Sequence, residues 1–100
     1  MTNNTAFNEA ATRLLPTLKQ YVPIVDRVHG EHHPEFHDVR GLFDIIIEKN
    51  NKASSDKPEL THEFSQLRDI TNKYTVPGDV CESYAAVYNM LAELEKAYLA

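Results

Sequence analysis

Four of the five histidines in this 100-residue chain lie in one short stretch. They are His29, His32, His33 and His37. His33 and His37 are four residues apart, so on a helix both imidazoles project from the same side. Neutral imidazole with nearby carboxylates such as Glu35 and Asp38 is a donor set that suits zinc, iron or nickel. The stretch therefore indicates a candidate site for Fe or Zn, although no cofactor is expected for the chain as a whole.

The same histidines also have a structural interpretation. His29 and His33 stand where one helix ends and the next begins, and His32 and His37 are expected to face water. The spacing matches no closed structural zinc pattern, and no cysteine lies nearby in the sequence. Both interpretations remain open at this stage.

Other potential catalytic residues form no recognised pattern. Cys81 is the only cysteine; a solitary cysteine on an apolar helix face is typically a small core residue, and its isolation fits a reducing compartment. Glu59 and His62 form one Glu-x-x-His pair, whereas a carboxylate-bridged di-metal site in a bundle uses two. Most remaining glutamates are expected on solvated helix faces. They are Glu9, Glu48, Glu63, Glu93 and Glu95.

Composition limits the class of protein. The length suits a single domain spanning residues 1–100, and 42% hydrophobic residues indicate a folded globular chain. Fifteen acidic and ten basic residues give a net charge of −5, which argues against nucleic acid or an anionic membrane as partner. The longest apolar run, Tyr84 to Tyr88, is far too short to span a bilayer, and the first residues resemble no export signal. A cytoplasmic protein is expected.

Apolar residues recur at spacings of three and four along most of the chain, which predicts amphipathic helices. The predicted helices cover residues 5–28, 34–49, 57–74 and 79–99. The fourth stripe is the most regular, with Val80, Tyr84, Val87, Leu91, Leu94 and Tyr98. Because the connections are short, consecutive helices should be antiparallel. The prediction is an all-α, up-down-up-down four-helix bundle.

Local signals place the helix ends. Pro16 and Pro23 each remove an amide donor and predict a bend or break in the first helix, and Gly30 ends it. The polar segment 49–55 indicates a surface loop, and Pro77 with Gly78 should end the third helix. Two capping-box pairs are predicted to start the third and fourth helices. They are Asp56 with Glu59 and Asp79 with Glu82.

Several short motifs follow one another in a recognisable order. They are Leu15-Pro16, Val28-His29-Gly30, His33-Pro34-Glu35, Val39, Leu42-Phe43, Leu67 to Tyr74, Pro77, Asp79-Val80-Cys81 and Leu91-x-x-Leu94-Glu95. Between about Leu15 and Leu99 this series resembles the hemerythrin-like domain of the di-iron iron-sulfur cluster repair family. The resemblance implies a four-helix bundle, which in that family holds two non-haem irons and serves repair of clusters damaged by oxidative or nitrosative stress.

The iron-binding residues of that family are not matched in this chain. Phe7 and Asn8 stand where the family has a histidine pair, and Lys57 stands where a histidine opens its third helix. The family's His-Met-x-Lys-Glu-Glu stretch is replaced by the polar segment after Glu48. Its His-Ile-His segment falls beyond Ala100, and its separate cysteine-containing domain is missing. The sequence therefore predicts a shortened relative that has kept the scaffold and lost the di-iron site.

Three hypotheses of function follow. The first is a non-catalytic interaction or regulatory module linked to cluster repair or stress response, with no cofactor. The second is a metal-binding protein that uses His29, His32, His33 and His37. The third is an enzyme, for which no acid–base pair stands out. Phe7, Tyr98 and Leu99 at the shortened end predict an exposed apolar patch, and with it a homodimer or an unidentified protein partner.

Overall fold

The structure, a computed structural model, describes residues 4–53 and 57–100 and is entirely helical in its regular elements there. Within these ranges the helices are α1 (Asn4–His29), α2 (Glu35–Ala53), α3 (Thr61–Ile70) and α4 (Glu82–Leu99). They form an elongated body whose Cα extents are 42 × 21 × 20 Å. The predicted all-α class with four helices is confirmed.

Helices α1 and α4 run antiparallel along the molecule. The rings of Phe7 and Tyr98 pack 5.6 Å apart at one end, and His29 contacts Cys81 at the other. We call these the Phe7 end and the His29 end. From the His29 end α2 returns beside α1, and α3 then runs back from the Phe7 end between α2 and α4. Consecutive helices therefore alternate in direction.

The predicted apolar stripes form the core. In α4 the residues from Tyr84 to Tyr98 at spacings of three and four are all buried, and α2 contributes Phe36, Val39 and Ile46 to the same core. Val28, near the end of α1, lies outside this core, because its side chain is 58% exposed.

Two helix boundaries of the first hairpin bear on the sequence predictions. α1 continues through Pro16 and Pro23 without a break and ends before Gly30, as predicted for the glycine. α2 extends to Ala53 rather than ending at residue 49. An ion pair between Lys52 and Glu48, one turn apart, stabilises this extra turn. Residues 54–55 of the predicted loop lie outside the described residues.

α3 is much shorter than the predicted 57–74. It begins at Thr61, whose backbone amide donates a hydrogen bond to Glu59 Oε1. The predicted cap, Asp56, lies outside the described residues. It ends at Ile70 because Asn72, Lys73 and Tyr74 are left-handed, with φ of 52°, 58° and 60°, a conformation that cannot continue a right-handed helix. The predicted end at Pro77 and Gly78 is therefore too late.

The start of α4 also differs from its prediction. The helix begins at Glu82 rather than at residue 79, and Cys81 occupies the N-cap position without a side-chain capping bond. Asp79 does not cap the helix, because its carboxylate contacts His33 instead. Across the described residues, no helix is both long enough and apolar enough to cross a membrane.

Candidate functional site at the His29 end

The turn between α1 and α2 carries the clustered histidines. The amide of Gly30 donates to the carbonyl of Asp26, and the amide of His33 donates to the carbonyl of His29, both at 2.8 Å. A Cβ atom on Gly30 would lie 2.4 Å from the Asp26 carbonyl oxygen and 2.6 Å from the His37 ring. This close approach of backbone and ring therefore requires glycine.

The imidazole of His33 bridges two carboxylates. Its Nδ1 lies 3.1 Å from Glu35 Oε2, and its Nε2 lies 3.1 Å from Asp79 Oδ1. Ionised carboxylates only accept hydrogen bonds, so both bonds form together when both ring nitrogens carry a hydrogen. Through Asp79, His33 fastens the connection between α3 and α4 to the start of α2.

His29 contacts the thiol of Cys81. The Nε2–Sγ distance is 3.0 Å, although the two residues are 52 positions apart in the sequence. Cys81 is exposed, so the expectation of a core cysteine is wrong: the apolar face of α4 starts only after it. A histidine nitrogen at this distance can accept the thiol proton, as in sites where a base activates a cysteine.

The other two histidines of the cluster, His37 and His32, lie apart from His29 and His33. His37 Nδ1 lies 2.5 Å from Asp26 Oδ1, and Arg40 donates to the second oxygen of that carboxylate at 3.1 Å. His32 is exposed. In the described part of the chain, no three or more histidine, cysteine, aspartate or glutamate side chains are grouped so that they could hold a metal ion. The predicted set of His29, His32, His33 and His37 is not brought together.

Tyr84 is a core residue at the His29 end of the bundle. Its buried ring packs against the rings of His29 at 5.4 Å and His33 at 5.5 Å, centre to centre. Its hydroxyl shares a 3.0 Å hydrogen bond with the Tyr88 hydroxyl and lies 3.5 Å from Glu35. Burial, followed by the bond with Tyr88, raises the pKa of Tyr84 far above its usual value. The two histidines therefore rest on a neutral aromatic and hydroxyl network.

The Phe7 end contains two of the positions where the resemblance places iron ligands. Phe7 is fully buried, and Tyr98, which it contacts, is 7% exposed. The Lys57 ammonium donates to the carbonyl of Tyr98 and lies 4.3 Å from the centre of its ring. A phenyl ring and an ammonium group are not iron ligands, so these residues do not fit a di-iron centre.

This packing also corrects the predicted apolar patch. Phe7 and Tyr98 are core residues because they fill the space between the ends of α1, α3 and α4, where Tyr98 also packs on Phe64 at 5.3 Å. Of the three residues predicted to be exposed, only Leu99 is, at 66%. The homodimer remains a prediction, but the apolar patch of Phe7, Tyr98 and Leu99 no longer supports it.

Two glutamates expected on solvated faces are instead buried between helices. Glu63 of α3 pairs with Lys49 of α2 at 3.0 Å, and Glu95 of α4 pairs with Arg68 of α3 at 3.0 Å. Their side chains are 6% and 7% exposed. Burying a carboxylate requires such a cation, and this pairing across helices has no signature in local periodicity.

Sequence reasoning missed Asp79, Cys81 and Tyr84 as neighbours of the histidines. Local patterns assign Asp79 to a helix cap and Tyr84 to the core stripe, because such patterns depend on residues only a few positions away. One feature of the sequence does bear on these contacts: in an antiparallel bundle the connection after α3 must return to the His29 end. This predicts that Asp79 and Cys81 lie near the turn at Gly30, but it does not predict which histidines they contact.

No protein-family model and no solved structure matches this chain.

Proposed function

We propose that this protein is a hemerythrin-like bundle that acts by binding protein partners rather than by catalysis, in cluster repair or a related stress response. The all-helical fold with helices of alternating direction is compatible with the family that the sequence motifs resemble. The link to cluster repair rests on that resemblance, and the non-catalytic role rests on the contacts of the motif residues.

The observation that carries the proposal is the separate engagement of the histidines. His29 contacts Cys81, His33 bridges Glu35 and Asp79, and the rest of the motif forms the turn around Gly30. These contacts fasten α1, α2 and the start of α4 to one another. Contacts within the bundle therefore explain the clustered histidines, and the proposal assigns no catalytic reaction to the His29 end.

The Phe7 end supports the same proposal. Aromatic packing of Phe7, Phe64 and Tyr98 occupies the region between the helix ends, and Lys57 covers it from outside. Filling such a region with apolar side chains stabilises the fold by about 25 cal/mol for each Å² removed from water. Apolar packing at these positions stabilises the bundle and is compatible with a role that depends on its outer surfaces.

Iron loading tests the non-catalytic role. Untagged protein is incubated with ferrous iron in air and desalted, and bound iron is measured by elemental analysis together with the visible spectrum. We expect iron far below stoichiometric and no oxo-bridge absorption band. The double variant His33→Ala and His37→Ala serves as a control for iron held by surface histidines. Stoichiometric iron with an oxo-bridge band in the wild-type protein would contradict the proposal.

The alternative of a metal-binding protein remains a separate prediction. It requires His29, His32, His33 and His37 to leave the partners described above and converge on one ion. Calorimetric titration with Zn²⁺ compares the wild-type protein with the His33→Ala, His37→Ala variant. Tight binding that only the wild type shows would favour this alternative, and identical weak heats in both would eliminate it.

A further inference from the structure

Cys81 and His29 bring a nucleophile and a base together at the His29 end. Cys81 occupies the N-cap of α4, and His29 is the last residue of α1. The Sγ and Nε2 atoms are 3.0 Å apart, and Cys81 is exposed. Since the folded chain supplies an acceptor for the thiol proton, these two residues form the pair that an activated nucleophile requires.

The imidazole of His29 is held in place by the core. Its ring packs edge-on against the buried ring of Tyr84, with the centres 5.4 Å apart and the planes at 87°. The hydroxyl of Tyr84 shares a hydrogen bond with that of Tyr88, so this supporting ring is itself anchored within α4. A base whose ring is oriented by a third group is typical of sites that activate a nucleophile.

The surroundings of Cys81 favour a thiolate. The first amides of an α-helix have no partner within the helix, and the N-cap side chain of α4 makes no capping bond. The partial positive charge at such a terminus favours an anion there. The carboxylate of Asp79, two residues earlier, is bound by His33 at 3.1 Å, which offsets its repulsion of a negative sulfur. Glu82 is exposed to water, where its repulsion is weak.

Cys81 is the only cysteine of the chain, and this limits the reactions that its thiol can complete. Attack on a disulfide requires a thiolate and an acceptor for its proton, and both are provided here. A second thiol in the same chain would displace the added group and leave an internal disulfide. Without one, the reaction stops at a mixed disulfide, which persists until an external thiol reverses it.

We propose that Cys81 is a site of reversible modification by small disulfides, with His29 as the base that accepts its proton. The thiol proton passes to Nε2 of His29, and the Cys81 sulfur bonds to one sulfur of the small disulfide. The bond between the two sulfurs of that disulfide breaks, and the departing thiolate takes up the proton from His29.

This exchange is balanced without any further oxidant. One thiol and one small disulfide are consumed, and one mixed disulfide and one small thiol are formed. The reaction goes beyond the proposed function, because it modifies the chain itself. It involves no turnover, so it is compatible with a non-catalytic role.

Exchange with 2-hydroxyethyl disulfide tests the proposal. Reduced protein is mixed with an excess of this uncharged disulfide at neutral pH, and the adduct is followed by mass spectrometry of the intact chain. We expect one added group per chain, which dithiothreitol removes, and no added group in Cys81→Ser. His29→Gln, with its folding verified by circular dichroism, should react several-fold more slowly, because a glutamine amide does not act as a base.

Two controls separate the base from a structural role of His29. In urea at a concentration that unfolds the protein, wild type and His29→Gln should react at equal rates, because their difference depends on the folded contact. The folded wild type should also react faster than the unfolded wild type. His62→Gln changes an exposed histidine at the start of α3, near the Phe7 end, and should react like the wild type.

The contrary outcomes are equally specific. The proposal is overturned by the absence of an adduct, by equal rates in folded wild type and His29→Gln, or by a difference that persists in urea. It is also overturned by a folded wild type no faster than the unfolded chain, or by a His62→Gln variant as slow as His29→Gln. A disulfide-linked pair of chains or an oxidised thiol in place of the adduct has the same consequence.

Discussion

His29, His33 and His37 lie close in sequence but meet different chemical environments. The first contacts a thiol, the second lies between two carboxylates, and the third contacts a carboxylate shared with Arg40. Residue type and spacing are the same for a metal site and for three separate contacts. In this chain Asp26 contacts His37, while His29 and His33 have partners of their own.

The contact between His29 and Cys81 predicts an effect on thiol reactivity. Replacing His29 by Gln removes the nitrogen that can accept the thiol proton, so alkylation of Cys81 by iodoacetamide at neutral pH should slow several-fold. The rate is measured by mass spectrometry of the intact protein. His32→Gln, a change at an exposed neighbour, should leave the rate unaltered. Equal rates in wild type and His29→Gln would show that the contact does not activate the thiol.

In the turn between α1 and α2, one small residue permits a close approach of backbone and side chain. At Gly30 the carbonyl of Asp26 and the ring of His37 approach so closely that a methyl group cannot fit. At Gly41, inside α2, nothing lies within 4 Å of the same position. The two glycines thus differ in role: one permits a close approach, and the other only loosens a helix.

These two glycines form a matched pair of substitutions. Gly30→Ala should lower the free energy of unfolding by about 1–3 kcal/mol, because backbone or ring must shift to admit the methyl group. Gly41→Ala should raise it by about 0.5–1 kcal/mol, since alanine favours the helix and meets open space. Urea unfolding followed by circular dichroism measures both. Similar effects of the two substitutions would contradict the role assigned to Gly30.

At the scale of the whole molecule, buried carboxylates join the helices in succession. Asp26 with Arg40 joins α1 to α2, Lys49 with Glu63 joins α2 to α3, and Arg68 with Glu95 joins α3 to α4. An exposed pair, Arg13 with Glu93, connects α1 to α4. Exposed pairs contribute little, whereas the loss of a partner from a buried carboxylate is costly. The buried pairs are therefore the ones whose loss is expected to destabilise the fold.

Three buried or half-buried tyrosines make the free energy of unfolding depend on pH in the alkaline range. Burial is the main cause that raises the pKa of Tyr74, Tyr84 and Tyr88 above the value of about 10 in an unfolded chain. Below pH about 10 these groups are protonated in both states. Above it the unfolded chain releases protons that the folded chain retains, so the free energy of unfolding falls as pH rises.

Urea unfolding at a series of alkaline pH values measures this dependence. We expect the free energy of unfolding to decline steadily above pH about 10. In Tyr84→Phe the decline should be less steep, because one of the shifted groups is gone. A free energy of unfolding that stays constant through this range would contradict the assignment.

Much of the fold could be predicted from the sequence because its signals act over a few residues. The stripe from Tyr84 to Tyr98 and the stop at Gly30 depend on helical periodicity and on local backbone freedom. The end of α3 could not be predicted in this way. Its apolar pattern continues through Tyr74, yet the backbone turns left-handed at Asn72 and ends the helix first.

By itself the sequence determined the all-α class, the number of helices and the stripes that form the core, since each follows from spacings of three and four along one chain. Only the tertiary structure decided the partners of the histidines. His29 meets Cys81 and His33 meets Asp79, which are 52 and 46 residues away. Such contacts depend on how the α3–α4 connection returns across the bundle. That path is set by packing between helices, which local patterns do not encode.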